Sequence, residues 1–132
     1  MTVTAIALPR PMALVYAVEL DEEGCSHEGG KMNLVRDGLP SIPFRAAAPP
    51  LVGSLRRLEK GFLASWIAPL GCNLQRRVVY AVVLDDDGAP TSDVMAIGDA
   101  ATYGVATAGS DVDLWIQDAR SVIWLRARCA AP

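Results

Sequence analysis

The residues best equipped for nucleophilic or metal chemistry are one histidine and three cysteines, and two of these stand close together as Cys25 and His27. Any Cys-His or Ser-His nucleophile pair would have to use His27. Two residues of separation fix no attack geometry, however, and no third group is positioned in sequence to orient the imidazole. Cys25, His27, Cys72 and Cys129 together offer four zinc-compatible ligands. Their spacing matches no compact zinc motif, and alternation places Cys129 on the inward face of the last strand, where a thiol packs as a small apolar group. No catalytic residue, metal or cofactor is assigned on this basis.

Carboxylates form the second group. The segment VYAVELDEEG, residues 15–24, returns as VYAVVLDDDG at residues 79–88, with seven of ten positions identical. A calcium loop counted from Asp85 needs an oxygen ligand at its fifth position, Gly at its sixth and Glu at its twelfth. The chain has Ala89, Pro90 and Ala96 there. The acidic tips therefore read as turns, because Asp hydrogen-bonds nearby backbone and Gly supplies a positive φ. No GxGxxG, phosphate loop or GxSxG elbow occurs, and Gly98, Gly104 and Gly109 are too loosely spaced for a phosphate cradle.

Around the tips, each copy presents an alternating strand: Tyr16, Val18 and Leu20 share one face in the first, and Tyr80, Val82 and Leu84 in the second. The opposite face carries Glu19 in the first copy and Val83 in the second. This predicts a water-facing edge strand for the first and a central strand for the second. Short returning strands over Lys31–Val35 and Asp93–Ile97 would complete a duplicated hairpin, residues 12–37 and 76–100.

The chain of 132 residues is read as a single domain, 1–132, since that length supports one adequate core. Residues 1–11 form an extended leader. Residues 38–50 are a Pro-rich connector, because proline removes the donor that a central strand or helix interior needs. Leu51, Leu55, Leu58, Phe62 and Trp66 follow at spacings of 4, 3, 4 and 4, one apolar helical stripe, with Arg56, Arg57 and Lys60 off it. A principal helix is predicted over about residues 51–60. Gly61 could end it and leave Phe62–Ile67 as a strand. The expected fold class is α+β, an antiparallel hairpin-rich sheet with that helix packed on one face.

The C-terminal stretch SDVDLWIQDARSVIWLRARC reads as two strands about a turn at residues 118–121. Setting Gln117 opposite Val122 puts Trp115 across from Trp124, Asp113 across from Arg126 and Asp111 across from Arg128. The alternate face carries Leu114, Ile116, Ile123, Leu125 and Ala127, a core surface. Trp115, Trp124, Arg126 and Arg128 thus share a face the core does not need. Trp and Arg are enriched where binding energy concentrates, so these four are the candidate protein-binding residues.

Composition sets the function class. Apolar residues make up 52% of the chain and the net charge is −3, which offers no electrostatic footprint for nucleic acid. No apolar run reaches the roughly 20 residues of a membrane span, and the first cation, Arg10, follows the apolar stretch Val3–Leu8 instead of preceding it, unlike a signal peptide. Three cysteines fit a reducing cytoplasm better than a disulfide framework. Together these readings point to a non-enzymatic cytoplasmic interaction module, of regulatory, accessory or immunity type, that meets a protein partner or a second copy of itself. The alternative is a small-molecule binder or enzyme with its site near Cys25, His27 and the acidic turns.

Overall fold

Residues 52–70 run as a hairpin and contain no helix. In the computed structural model, which describes residues 2–6, 12–16, 31–45, 52–70 and 73–128, all regular structure is strand. The chain orders β1 (Thr2–Ile6), β2 (Met12–Tyr16), β3 (Lys31–Arg36), β4 (Leu39–Arg45), β5 (Val52–Arg57), β6 (Phe62–Leu70), β7 (Asn73–Leu84), β8 (Met95–Asp99), β9 (Thr102–Ala108), β10 (Asp111–Gln117) and β11 (Val122–Arg128). The α+β expectation is therefore wrong: the described residues are all-β.

The helical stripe was an accident of hairpin spacing. Leu55 lies in β5 and Phe62 and Trp66 in β6, and the turn between the strands brings them into one apolar cluster, while Leu58 at the turn joins a different one. Two features favour strands over helix. Gly53 and Ser54 are poor helix formers, and Gly61 adopts φ 81 with its carbonyl accepting from the Leu58 N–H at 3.0 Å, which closes a tight turn. The run FLASWIAP is moreover buried on both sides, with Leu63, Ser65 and Ile67 as inaccessible as Phe62, Ala64 and Trp66. A helix with one apolar stripe would leave half of those in water. A strand between two layers covers all of them.

Three antiparallel meanders result, β1-β2-β3-β4, β5-β6-β7-β8 and β11-β10-β9. The β5–β8 sheet is the middle layer. On one face, Leu55, Phe62, Trp66, Val82 and Leu84 pack with Leu34 and Ile42 of the first sheet. On the other, Leu63, Ile67, Val79 and Ala81 meet Val105, Val112, Leu114 and Ile116 of the third. The hydroxyl of buried Ser65 meets that of half-buried Tyr103 across this second interface at 3.3 Å.

Positions expected to be punctuated by proline and glycine behave as their backbones require. Pro40 and Pro43 lie in β4, so residues 39–45 of the expected Pro-rich connector form a strand instead; among the described residues it is the last strand of its sheet, the position where proline is tolerated. Asp37 and Gly38, with Gly38 at φ 70, turn β3 into β4. β7 is central as expected. β2 is not an edge: it pairs with both β1 and β3. Glu19, whose charge suggested the edge, lies outside the described residues, as does the first acidic tip.

Candidate functional site

The β10–β11 hairpin begins with its turn. Asp118 Oδ1 accepts the backbone N–H of Arg120 at 2.7 Å and of Ser121 at 2.8 Å, and the Asp118 N–H reaches the Ser121 carbonyl at 3.1 Å. The carboxylate thus closes the loop that the sequence placed at residues 118–121. The register that follows is the one read from side-chain pairing: Gln117 opposite Val122, Trp115 opposite Trp124, Asp113 opposite Arg126 and Asp111 opposite Arg128.

The outward face is built from those pairs. The indoles of Trp115 and Trp124 lie 5.8 Å apart, centre to centre, and tilted by 32°. Arg126 grips Asp113 side-on, with Nε donating to Oδ1 at 2.6 Å and Nη2 to Oδ2 at 3.1 Å, and Arg128 Nε donates to Asp111 Oδ1 at 2.9 Å. Trp124 Nε1 also leans on Asp113 Oδ1, at 3.4 Å. These ion pairs are open to water, so they orient the guanidinium groups more than they stabilise the fold.

Trp115 owes its position to the next strand. Gly104 of β9 is its cross-strand partner, and a Cβ there would come within 2.0 Å of the Trp115 ring. The missing side chain is the seat of the indole, so Gly104, Trp115 and Trp124 form one row across three strands. Sequence reasoning set Gly104 aside because its spacing fits no phosphate loop. The available signal was its place opposite a tryptophan once the β9 register is known.

The inward face departs from expectation. Val112, Leu114 and Ile116 of β10 are buried against the middle sheet, but their neighbours on β11 are not: Ile123 is 48% exposed and Leu125 39%. The proposed core surface ends at β10. Beyond it, Val122 at 62% and Trp124 at 63% complete a run of four exposed apolar side chains on a strand exposed along its whole length. β11 closes its sheet, and among the described residues no strand pairs with its outer edge. Alternation correctly named two faces but could not tell how far the covering layer reaches.

Among the described residues the remaining candidates form no second site. Cys25, His27, Cys72 and Cys129 lie outside the described residues. Among the described residues no group of His, Cys, Asp and Glu is arranged to hold a metal ion. In the second acidic tip Asp85 and Asp86 are both engaged in structure. Asp85 Oδ1 accepts from the N–H of Asp87 and Ala89 at 2.9 and 2.8 Å, while Asp86 Oδ1 takes the Gly61 N–H at 2.8 Å and Arg57 Nη1 at 2.9 Å. The repeated Asp, Asp85, is thus a turn residue, and its neighbour Asp86 clamps the β5–β6 turn. A cleft of about 400 Å³ is lined by Arg76, Arg77, Asp99 and Asp118, but Arg76 pairs with Asp99 at 3.0 Å and Asp118 serves its own turn. No helix among the described residues is long and apolar enough to cross a membrane.

Three of these carboxylates hold protons less readily than usual. The Gly61 N–H lowers Asp86 below its ordinary 3.8, the Arg126 guanidinium lowers Asp113, and the backbone N–H groups of Arg120 and Ser121 lower Asp118. A group with a depressed folded pKa contributes stability above its unfolded value and loses it as pH falls through the folded one. Stability should therefore be insensitive to these three groups from neutral pH down to about 5, then decline progressively below that. Denaturant midpoints measured from pH 7 to pH 2 test this, and the Asp86→Ala, Asp118→Ala double variant should show a shallower acid limb.

No protein-family model, no curated protein and no solved structure matches this chain.

Proposed function

We propose that the protein is a non-enzymatic interaction module of the cytoplasm, regulatory or accessory in role, that docks a protein partner or a second copy through β11 and the Trp115, Trp124, Arg126, Arg128 face. The observation that carries this reading is the unbroken run Val122–Leu125, exposed on both faces of a strand with an open edge. Long apolar edge strands invite pairing with another chain, and proteins usually blunt them with charge, proline or a covering loop. Among the described residues nothing of that kind covers the apolar half of β11. An aromatic pair beside arginines is also the composition in which interface energy concentrates.

Trp124→Ala separates this role from a structural one. The side chain is mostly in water, so its loss should change folding stability by no more than about 1 kcal/mol. Association should suffer far more, with affinity for a second copy or a co-purifying partner reduced by about thirtyfold or more, as for the removal of an interface anchor. Light scattering and tryptophan fluorescence of the wild type and the variant read both effects. Unchanged association in a properly folded variant would sink the proposal.

A further inference from the structure

We infer that the open edge of β11 takes an extended acidic-apolar strand from another protein, with a residue pattern that repeats β10. The inference rests on the reading above and adds the chemistry of the partner. Each outward row of the third sheet ends unfinished at β11: Trp115 then Trp124, Asp113 then Arg126, Asp111 then Arg128. Arg126 and Arg128 are 70% and 77% exposed despite their inward partners. Asp113 engages the Nε and Nη2 side of Arg126, and among the described residues its Nη1 end takes no bond. A carboxylate on an added strand would continue each row with alternating charge, and opposite charges directly across a pair of strands attract.

The same geometry argues against a second copy pairing β11 with β11. The strand VIWLRAR contains no Asp or Glu, so no antiparallel self-pairing within it sets a carboxylate opposite Arg126 or Arg128. β10 has the required sequence, but in a second copy it is already paired on both sides. An occupant reading acid, apolar, acid, apolar, aromatic, apolar satisfies both faces. Its acids meet Arg128 and Arg126 and its aromatic meets Trp124, while its alternate apolar residues cover Leu125 and Ile123. Main-chain bonds to the open edge would supply affinity and the alternating side chains specificity, as in other strand additions.

The probe is a fluorescein-labelled, end-capped peptide of the β10 sequence, DVDLWIQ, titrated with the full chain by anisotropy. Its charge-reversed counterpart KVKLWIQ should bind at least about tenfold more weakly, since two attractive pairs become two repulsive ones. In the Arg126→Gln, Arg128→Gln variant, shown to be folded by circular dichroism, that preference should fall to about twofold or less. Raising the salt should weaken DVDLWIQ and strengthen KVKLWIQ, narrowing the gap between them. Equal binding of both peptides to the wild type overturns the acidic partner but leaves the docking edge standing. A dimer that Trp124→Ala dissociates and DVDLWIQ displaces overturns it in favour of a second copy. A monomer that binds neither peptide at millimolar concentration overturns both this inference and the docking role itself.

Discussion

Alanine in place of Trp66 is expected to cost about 3 to 5 kcal/mol of folding stability, the range for removing a fully buried large aromatic. Trp66 has no accessible surface. It sits in β6 between Gly53 of β5 and Tyr80 of β7, and its ring stacks on that of Tyr80 with centres 5.8 Å apart and planes at 22°. Around it lie Leu34, Phe62, Val82 and Leu84, so the cavity would open in the seam between the first sheet and the middle one. No neighbouring strand can close in to fill it, because each is tied into its own hydrogen-bonded ladder. Against a typical total of roughly 5 to 15 kcal/mol, such a loss removes a large share of stability. Urea denaturation of Trp66→Ala beside Trp124→Ala is the direct measurement. A loss below about 1 kcal/mol for the buried residue would contradict the layer arrangement.

Gly61→Ala is the second large effect, with an expected loss on the order of 3 kcal/mol. Two costs coincide there. The backbone is at φ 81, which a side chain resists, and an added Cβ would sit 2.0 Å from the Leu84 carbonyl oxygen and 3.2 Å from the Asp85 Cα. Those are backbone atoms of β7 and its turn, so they can yield only by shifting the strand. Asp86 would be disturbed as well, since it holds the Gly61 N–H. Gly38→Ala is the control. Its φ of 70 carries the same conformational penalty, but nothing lies within 4 Å of the new methyl, so it should lose only about 1 to 2 kcal/mol. The difference between the two variants measures the collision together with the disturbed Asp86 bond, and equal losses would mean that the β5–β6 and β7 turns are not so closely packed.

These contrasts show where the sequence was informative. The β10–β11 register was legible because it is local: a short turn fixes which residues oppose, and three complementary pairs agree on one alignment. The stripe through Leu55, Leu58, Phe62 and Trp66 misled because helical spacing and a hairpin crossing can select the same positions. What distinguished them was burial of the alternate residues Leu63, Ser65 and Ile67 by the third sheet, a contact between segments some forty residues apart. The exposure of Ile123 and Leu125 was hidden for a related reason, since it depends on where the middle layer stops. The acidic turn at residues 85–88 was recognised as a turn, whereas the reach of Asp86 to Gly61 and Arg57 is a tertiary bond with no local sign.

The middle layer also constrains how the protein comes apart. Each sheet is made from one contiguous stretch of chain, so each could in principle zip up by neighbouring hairpins alone. Yet the β5–β8 meander carries an apolar surface on both sides, Phe62 and Trp66 on one and Leu63 and Ile67 on the other. Stripping away either flank would wet one of those surfaces, so the inner strands have no stable existence with only one cover. Loss of an outer sheet and collapse of the centre are therefore one event, and the three layers melt together although no strand is exchanged between them.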